Sequence, residues 1–268
     1  MTRVLSGAVL GGIVLAIVWY APPIGSLALS IVALLLAAKE IANLARASGI
    51  NMSLWLSAAG ALTTLVALGA PAFASGAGSS LLPIVLMAQL VAVLGTAIAA
   101  WPPGSRDALA TAAVALFPSW YLAAPLGALV AIRADEGATT LLLLVLTIVV
   151  SDTAQYYAGR LTGRRLLAPA ISPKKTVEGA IGGVVFGTLV FAVVGGWWLG
   201  RVPAALRVIV GLAIVLAGIA GDLFESMLKR SAGVKDSSSI IPGHGGVLDR
   251  IDALLFAAPV FYIVLQYV

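Results

Sequence analysis

The residues best suited to chemistry are carboxylates in the second half of the sequence. Seven of the eleven acidic residues fall within one stretch, namely Asp152, Glu178, Asp222, Glu225, Asp236, Asp249 and Asp252. Asp222, Glu225 and Lys229 are spaced to share one face of a helix, and Asp249 and Asp252 are one helical turn apart. Two or three carboxylates beside several cations are typical of a Mg²⁺-dependent nucleotide site. A plain ion pair with Lys229 would explain Glu225 equally well.

The polar connection 159–176, which lies between Asp152 and Asp222, is rich in basic residues. We expect Ser172, Lys174, Lys175 and Thr176 at the start of a helix, where free backbone N–H groups and the positive end of the helix dipole favour a phosphate. The alternative is that Ser-Pro only opens the helix and the two lysines only anchor it to anionic lipid. The segment alone does not separate these two interpretations.

The second long polar connection, 229–250, is also rich in cations. Its basic residues are Lys229, Arg230, Lys235 and Arg250. Cations in such a connection suit an anionic ligand such as a phosphate group. The sole histidine, His244, cannot build a histidine metal centre alone; it could contact a phosphate or simply be hydrogen-bonded. The absence of cysteine excludes thiolate catalysis, cysteine-ligated zinc and disulfides.

The elements that must position these residues are membrane-spanning helices. Of the 268 residues, 61% are hydrophobic and 10% are charged, which leaves too few polar side chains to cover a water-soluble protein. The apolar stretches predict an all-α polytopic membrane protein with about nine spans in a single membrane domain, 1–268. The predicted helices cover 3–20, 24–48, 53–70, 81–101, 107–132, 138–158, 176–199, 205–230 and 250–268.

Several residues within these helices predict their local behaviour. We expect the first helix to be a span and not a cleaved signal peptide, because Trp19 and Tyr20 occupy the place of small cleavage-site residues. Pro118 and Pro125 should disturb the fifth helix. A stripe of glycines at four-residue spacing in the seventh predicts close approach by another helix: Gly179, Gly183 and Gly187. Residues 1–135 are predicted to form a helical scaffold that contacts lipid and other subunits. Residues 136–268 are predicted to form the catalytic part.

The nine-span topology sorts the basic residues unevenly between the two sides. Thirteen of the sixteen lie at the N-terminus or after even-numbered spans, and the others are Arg133, Arg201 and Arg207. Because Lys and Arg are enriched in cytoplasmic loops, the N-terminus is predicted in the cytoplasm and the C-terminus outside. The net charge of +5 is therefore interpreted as a topology and lipid signal, and nucleic-acid binding is not expected.

A continuous pattern runs from Ser226 to Asp252. It reads Ser-Met-Leu-Lys-Arg, then Lys235-Asp236, then Ile241-Pro-Gly-His-Gly-Gly-Val-Leu-Asp-Arg-Ile-Asp. Two upstream segments belong to the same pattern, namely Ser151-Asp-Thr with Tyr156 and Gly159-Arg160, and Ser172-Pro-Lys-Lys-Thr-Val-Glu-Gly. Together they make the chain resemble the phosphatidate cytidylyltransferase family. The N-terminal half is similar to that family only in being a string of spans.

The resemblance implies an all-helical membrane enzyme, commonly a homodimer, that condenses CTP with phosphatidic acid to give CDP-diacylglycerol and pyrophosphate. It also implies Mg²⁺, with or without a second cation, on carboxylates at Asp222 and Asp249, with Asp252 close to the same centre. The residues expected to be catalytic are Asp222, Lys229, Arg230 and Asp249. Those expected to bind substrate are Ser172, Lys174, Lys175, Thr176, Lys235, His244 and Arg250. We expect the enzyme in the bacterial inner membrane, surrounded by its lipids, with the active site facing the cytoplasm.

Two alternatives remain open from the sequence. The same chemistry could act on an ether or polyprenyl lipid phosphate, because the apolar spans carry no information on acyl chains. A transporter could use Asp152, Asp222 and Asp252 as an ion path, since intramembrane carboxylates are common in such proteins. The concentration of charge in two connections favours the enzyme, and a purely structural scaffold would not need it.

Overall fold

The computed structural model describes residues 2–50, 53–69, 81–99, 108–241 and 245–268. The helices are α1 (Thr2–Tyr20), α2 (Pro23–Ala47), α3 (Leu54–Gly69), α4 (Leu81–Ala99), α5 (Ala108–Glu136), α6 (Ala138–Thr162), α7 (Val177–Trp198), α8 (Ala204–Ser231) and α9 (Leu248–Leu265). Two short strands between α6 and α7, β1 (Leu166–Ala168) and β2 (Ser172–Thr176), form an antiparallel hairpin. The all-α prediction is confirmed, with this hairpin as an addition that was not predicted.

Within the part of the chain that the structure describes, five helices are long and apolar enough to cross a membrane: α2, α5, α6, α7 and α8. Shorter apolar stretches lie in α1, α3 and α4. Each predicted helix has a counterpart in the described ranges, with its ends moved by a few residues. These helices confirm a helical membrane protein, whereas the count of nine spans stays a prediction.

Helix α5 is continuous but changes its hydrogen-bonding register twice. A π-helical turn, Ser119–Ala123, follows Pro118, and a second one, Ile132–Glu136, ends the helix. Proline has no N–H to donate and crowds the preceding turn, so a helix that contains one commonly shifts its register nearby. The predicted disturbance at Pro118 is confirmed, and Pro125 lies in the first turn of the α-helical stretch that follows.

The glycine stripe of α7 lets this helix lie almost against α6. Gly179, Gly183 and Gly187 are all buried. A Cβ added at Gly179 would meet the carbonyl oxygen of Gln155, and one at Gly183 would meet that of Ser151. The prediction of close helix packing is confirmed. It brings the polar end of α6 beside the hairpin and the start of α7.

The β1–β2 hairpin corrects the prediction for the Ser-Pro-Lys-Lys-Thr segment. The sequence predicts these residues at a helix start, but they form β2, and α7 begins one residue later at Val177. Pro173 disfavours helix in the residue before it, and pairing with β1 satisfies the strand's backbone groups. Thr176 is the N-cap, and its Oγ1 accepts a hydrogen bond of 3.1 Å from the Gly179 N–H. The two lysines therefore offer side-chain charge, and not free helix N–H groups, to a phosphate.

Two apolar cores hold the bundle together, and each joins early and late parts of the chain. The first contains Phe191 and Phe261, whose ring centroids are 5.4 Å apart, together with Val18 of α1. The second includes Leu34 of α2 and Leu255 of α9. Because α9 packs against the early helices through this second core, the N-terminal part helps to fix where the carboxylates of α9 lie.

Two of the three basic residues on the minority side of the topology count make contacts at one end of the bundle. Arg133 donates hydrogen bonds to the carbonyl oxygens of Val18 at 2.8 Å and Ala21 at 2.9 Å. Arg201 lies 2.5 Å from the carboxylate of Glu136. Because α6, α7 and α8 each run the length of the bundle, these contacts lie at the end opposite the hairpin. Which end faces the cytoplasm stays a prediction.

Candidate active site

A polar cavity of about 970 Å³ lies at the hairpin end of the bundle. Its walls come from α6, β2, α7, α8, the connection before α9 and the first turns of α9. The carboxylates that line it are Asp152, Asp222, Asp236, Asp249 and Asp252. The cations that line it are Arg160, Lys174, Lys175, Lys229, Arg230, Lys235 and Arg250. This volume lies within the usual range for small-molecule sites, and the charge suits an anionic substrate carried with a cation.

Lys175 and Asp222 form an ion pair that connects β2 with α8. The side chains keep 22% and 27% of their surface exposed, so both can be reached from the cavity. The strand conformation of β2 explains the contact, because it carries the lysine out from α7 and over the cavity. An incoming phosphate would compete with Asp222 for this ammonium group.

Lys229 is a buried cation between two carboxylates. Its Nζ pairs with Glu225 one turn earlier in α8 and lies 2.5 Å from Oδ1 of Asp249 in α9. The side-chain exposures are 11% for Lys229, 0% for Glu225 and 7% for Asp249. The ion pair of Glu225 with Lys229 that the sequence left open is present. Lys229 therefore joins α8 to α9 where both line the cavity.

Asp249 holds the connection before α9 in place. Its Oδ2 accepts hydrogen bonds from the Ser237 N–H at 3.0 Å, the Ser237 hydroxyl at 2.7 Å and the Gly246 N–H at 2.7 Å. Gly245 has a φ of +80°, which favours glycine, and a Cβ there would meet the carboxylate of Asp249. Both oxygens of Asp249 thus have donors from the protein, one of them the Lys229 ammonium.

Asp152 and Asp252 complete a group of carboxylates around Asp222. Both lie close enough to Asp222 to interact with it electrostatically. The Gln155 amide donates to Asp152 Oδ1 at 3.0 Å, and Asp252 Oδ1 accepts from the N–H of Ala253 at 2.8 Å. These oxygens suit Mg²⁺, which usually takes one or two carboxylates and completes its shell with water and substrate phosphates. Within the described ranges, no group of three or more His, Cys, Asp or Glu side chains is placed to hold a metal ion.

Comparison with known proteins decides the family. The family model described as "Cytidylyltransferase family" matches residues 1–268. The chain belongs to this cytidylyltransferase family. The resemblance inferred from the Ser226–Asp252 pattern is thereby confirmed.

Curated relatives of this cytidylyltransferase-family chain carry the name phosphatidate cytidylyltransferase. The one from Aquifex aeolicus is 43% identical over 127 residues, which is 47% of this chain and 46% of that protein. The one from Helicobacter pylori strain J99 is 38% identical over 155 residues, 57% of each protein. The one from Synechocystis is 48% identical over 116 residues, 42% of this chain and 38% of that protein. The chain spans about half the length of the curated relatives it matches.

The structure brings most of the predicted site residues of this family member together. Those predicted to be catalytic or to bind metal all line the cavity, namely Asp222, Lys229, Arg230, Asp249 and Asp252. So do Ser172, Lys174, Lys175, Thr176, Lys235 and Arg250. Arg230 also donates to the carbonyl oxygens of Ile171 at 3.2 Å and Val234 at 2.9 Å, which ties the hairpin to the end of α8. His244 lies outside the described residues, and the chemical roles stay predictions.

One cavity wall was missing from the predicted site. Asp152, Gln155, Tyr156 and Gly159 of α6 all line the cavity. Their spacing of three, four and seven residues places them on one helical face, a signal that the sequence does contain. Asp152, Tyr156 and Gly159 were recognised in the upstream part of the family pattern, but they were not assigned to the site. Arg160 follows on the same wall and donates to the Tyr156 hydroxyl at 3.3 Å.

Proposed function

We propose that this protein transfers the CMP group of CTP to phosphatidic acid, giving CDP-diacylglycerol and pyrophosphate for phospholipid synthesis. The observation that carries the proposal is the cavity, where five aspartates face seven lysines and arginines at one end of a helical membrane bundle. Membership of the cytidylyltransferase family and the names of its relatives support the same reaction.

The chain's own residues would act by position and charge. A phosphate oxygen of phosphatidic acid attacks the α-phosphorus of CTP, the bond to the bridging αβ oxygen breaks, and pyrophosphate leaves on the opposite side. No protein nucleophile is required. Lys175 and Lys174 on β2 would hold one phosphate group, and Arg230 and Lys235 would neutralise charge on the other reactant. Lys229 would keep α8 and α9 at a fixed separation, since its ammonium contacts a carboxylate on each helix.

Mg²⁺ is the cofactor that the carboxylates fit, and we propose that it enters with the CTP phosphates. Asp222 and Asp252 would hold it, with Asp152 beside them and Asp249 as the further ligand that the family pattern predicts. Bound Mg²⁺ would neutralise phosphate charge as the α-phosphorus is attacked and pyrophosphate departs. Lys175 pairs with Asp222. If its ammonium group moves to a phosphate oxygen when the nucleotide binds, the Asp222 carboxylate becomes free to hold the metal.

The location of the cavity suits a lipid substrate. Phosphatidic acid keeps its acyl chains in the bilayer and its phosphate at headgroup depth, and the cavity lies at the ends of the long apolar helices. We propose that the protein lies in the bacterial inner membrane as a homodimer with nine spans, and that the cavity faces the cytoplasm, where CTP is found. The excess of basic residues at this end supports that orientation.

An omission experiment tests the proposed reaction. The purified protein in mixed detergent and lipid micelles is given CTP, dioleoyl phosphatidic acid and Mg²⁺, and pyrophosphate release is measured with each component left out in turn. Release should require all three, and ATP or GTP should not replace CTP. Archaeal-type ether lipid phosphate and polyprenyl phosphate, tested in parallel, report on the lipid class.

The matched variant for this experiment is Asp222→Asn. Turnover should fall by a factor of about 10³ or more if the carboxylate holds the metal, because such a site loses most of its charge stabilisation. The folded state should persist, as judged by size-exclusion chromatography. Folded wild-type protein that releases no pyrophosphate with any of the three lipid phosphates would contradict the proposal.

A further inference from the structure

A buried carboxylate in the N-terminal part of the chain contacts the residues that hold one wall of the cavity. Glu40 on α2 is 0% exposed, although it is a charged residue in the part predicted to be scaffold. Its Oε1 accepts hydrogen bonds from the Ser238 hydroxyl at 2.7 Å and the Val247 N–H at 3.0 Å. Its Oε2 accepts from the Leu248 N–H at 2.8 Å and lies 3.1 Å from the Ser237 hydroxyl.

All four groups belong to the connection before α9 and the first residues of that helix, and three of them are donors to Glu40: the Ser238 hydroxyl and the N–H groups of Val247 and Leu248. The two backbone N–H groups are free donors at the helix N-terminus, where a side-chain acceptor normally comes from the chain just before the helix. Val247, the N-cap position, supplies no such acceptor. Glu40 therefore caps α9 from about two hundred residues away in sequence. The positive end of the helix dipole and these three donors together offset the burial of its charge.

This carboxylate is connected to the cavity through one hydroxyl group. Ser237 Oγ lies 3.1 Å from Glu40 and 2.7 Å from Oδ2 of Asp249, which lines the cavity. Oδ1 of Asp249 in turn contacts Lys229. The space around the junction is filled, because a Cβ at Gly246 would meet both the Ser237 hydroxyl and the Glu40 carboxylate.

We propose that Glu40 is a positioning residue of the active site. It fixes Ser237, Ser238 and the start of α9, and so sets where Asp249 lies relative to the cavity. Glu40 touches no substrate, and its effect passes through Ser237 and the N-terminus of α9. This inference rests on the proposed function for its kinetic part, while its structural part concerns the connection alone.

Glu40→Gln is the most informative variant, since it keeps the size of the side chain. The amide would present an NH₂ group to donors that now meet an oxygen, so at least one hydrogen bond becomes a contact between two donors. We expect peptides covering 237–249 to exchange backbone amide hydrogen about tenfold faster or more, with exchange in α6 and α7 unchanged. We expect kcat to fall about tenfold or more, with the KM for CTP changed much less.

The matched control is Glu136→Gln. That residue also accepts a hydrogen bond from a distant residue, Arg201, but it lies at the far end of the bundle. The Glu136→Gln substitution should lower thermal stability. It should change neither the backbone amide hydrogen exchange of 237–249 nor kcat per folded molecule. Glu40→Asp, which keeps the charge but shortens the reach, should recover part of the kcat lost in Glu40→Gln. Ser237→Ala combined with Glu40→Gln should cost less than the product of the two single effects, because both act on Asp249.

The outcomes separate this inference from the proposed function. If peptides covering 237–249 of the Glu40→Gln variant exchange backbone amide hydrogen at the wild-type rate, the inference is overturned, whatever the activity. Faster exchange with a wild-type kcat would also overturn it, because the connection would then move without affecting the site. If the wild-type protein releases no pyrophosphate, the proposed function fails, and the exchange measurement still decides whether Glu40 holds the connection.

Discussion

Replacement of Lys229 by Met should destabilise the protein more than any substitution of an exposed lysine. The change removes the ammonium group from between Glu225, which is 0% exposed, and Asp249, which is 7% exposed. Asp249 keeps the donors of Ser237 and Gly246, but Glu225 is left as a buried charge whose ion-pair partner is gone. Breaking a buried ion pair in this way costs about 3 to 5 kcal/mol.

A second substitution separates the cost of the unpaired Glu225 charge from the cost of lost packing around Lys229. Glu225→Gln removes the orphaned charge, so the double variant Lys229→Met with Glu225→Gln should regain about 2 kcal/mol or more relative to Lys229→Met alone. Lys235→Met is the matched control, because it makes the same replacement at an exposed position of the same cavity. Its cost should stay within about 0.5 kcal/mol.

The assay is thermal unfolding, in one detergent, of the wild type and four variants: Lys229→Met, Glu225→Gln, the double variant and Lys235→Met. The expected order of midpoints places the Lys235 variant beside wild type, then the double variant, then Lys229→Met clearly lowest. A Lys229→Met protein with the same unfolding midpoint as wild type would refute the claim that this lysine neutralises a buried carboxylate. So would a double variant whose loss equals the sum of the two single losses, since the charges would then be independent.

Three further predictions concern the surroundings of the cavity. Gly246→Ala should cost about 1 to 3 kcal/mol and most of the activity, because its Cβ would meet the Ser237 hydroxyl; thermal unfolding and pyrophosphate release measure both, and a fully active, stable variant contradicts the packing. Thr176→Val should cost about 1 kcal/mol by removing the N-cap of α7, whereas Thr162→Val, at an exposed position, should leave the unfolding midpoint unchanged. Asp152→Asn should raise the Mg²⁺ concentration needed for half-maximal activity, measured by titration at saturating CTP; an unchanged requirement would remove this residue from the metal site.

Much of the fold follows from hydrophobicity, because a helix that crosses a bilayer must be continuously apolar. The predicted starts of α6 and α8 lie within a residue or two of their observed positions. The hairpin did not follow, because β1 and β2 are only three and five residues long and one of them contains Pro173. Strand pairing depends on contacts with neighbouring elements, and so short a segment carries no alternation pattern that predicts it.

The site shows the same division between local and distant contacts. Asp222 and Lys229 were predicted from their spacing, since residues on one helix face must lie together. The pairing of Lys229 with Asp249 could not be derived, because it depends on how α8 packs against α9. Glu40 lies in the part predicted to be scaffold, and its partners lie 197 residues or more further along the chain. No local pattern links positions so far apart.

The transfer of labelled phosphate tests the proposed reaction most directly. The purified protein in nanodiscs that contain phosphatidic acid is given Mg²⁺ and CTP labelled with ³²P at either the α or the γ position. The proposed reaction moves the α label into the lipid phase as CDP-diacylglycerol and leaves the γ label in water as pyrophosphate. A γ label that enters the lipid, or an α label that stays in water while CTP is consumed, would contradict CMP transfer to phosphatidic acid.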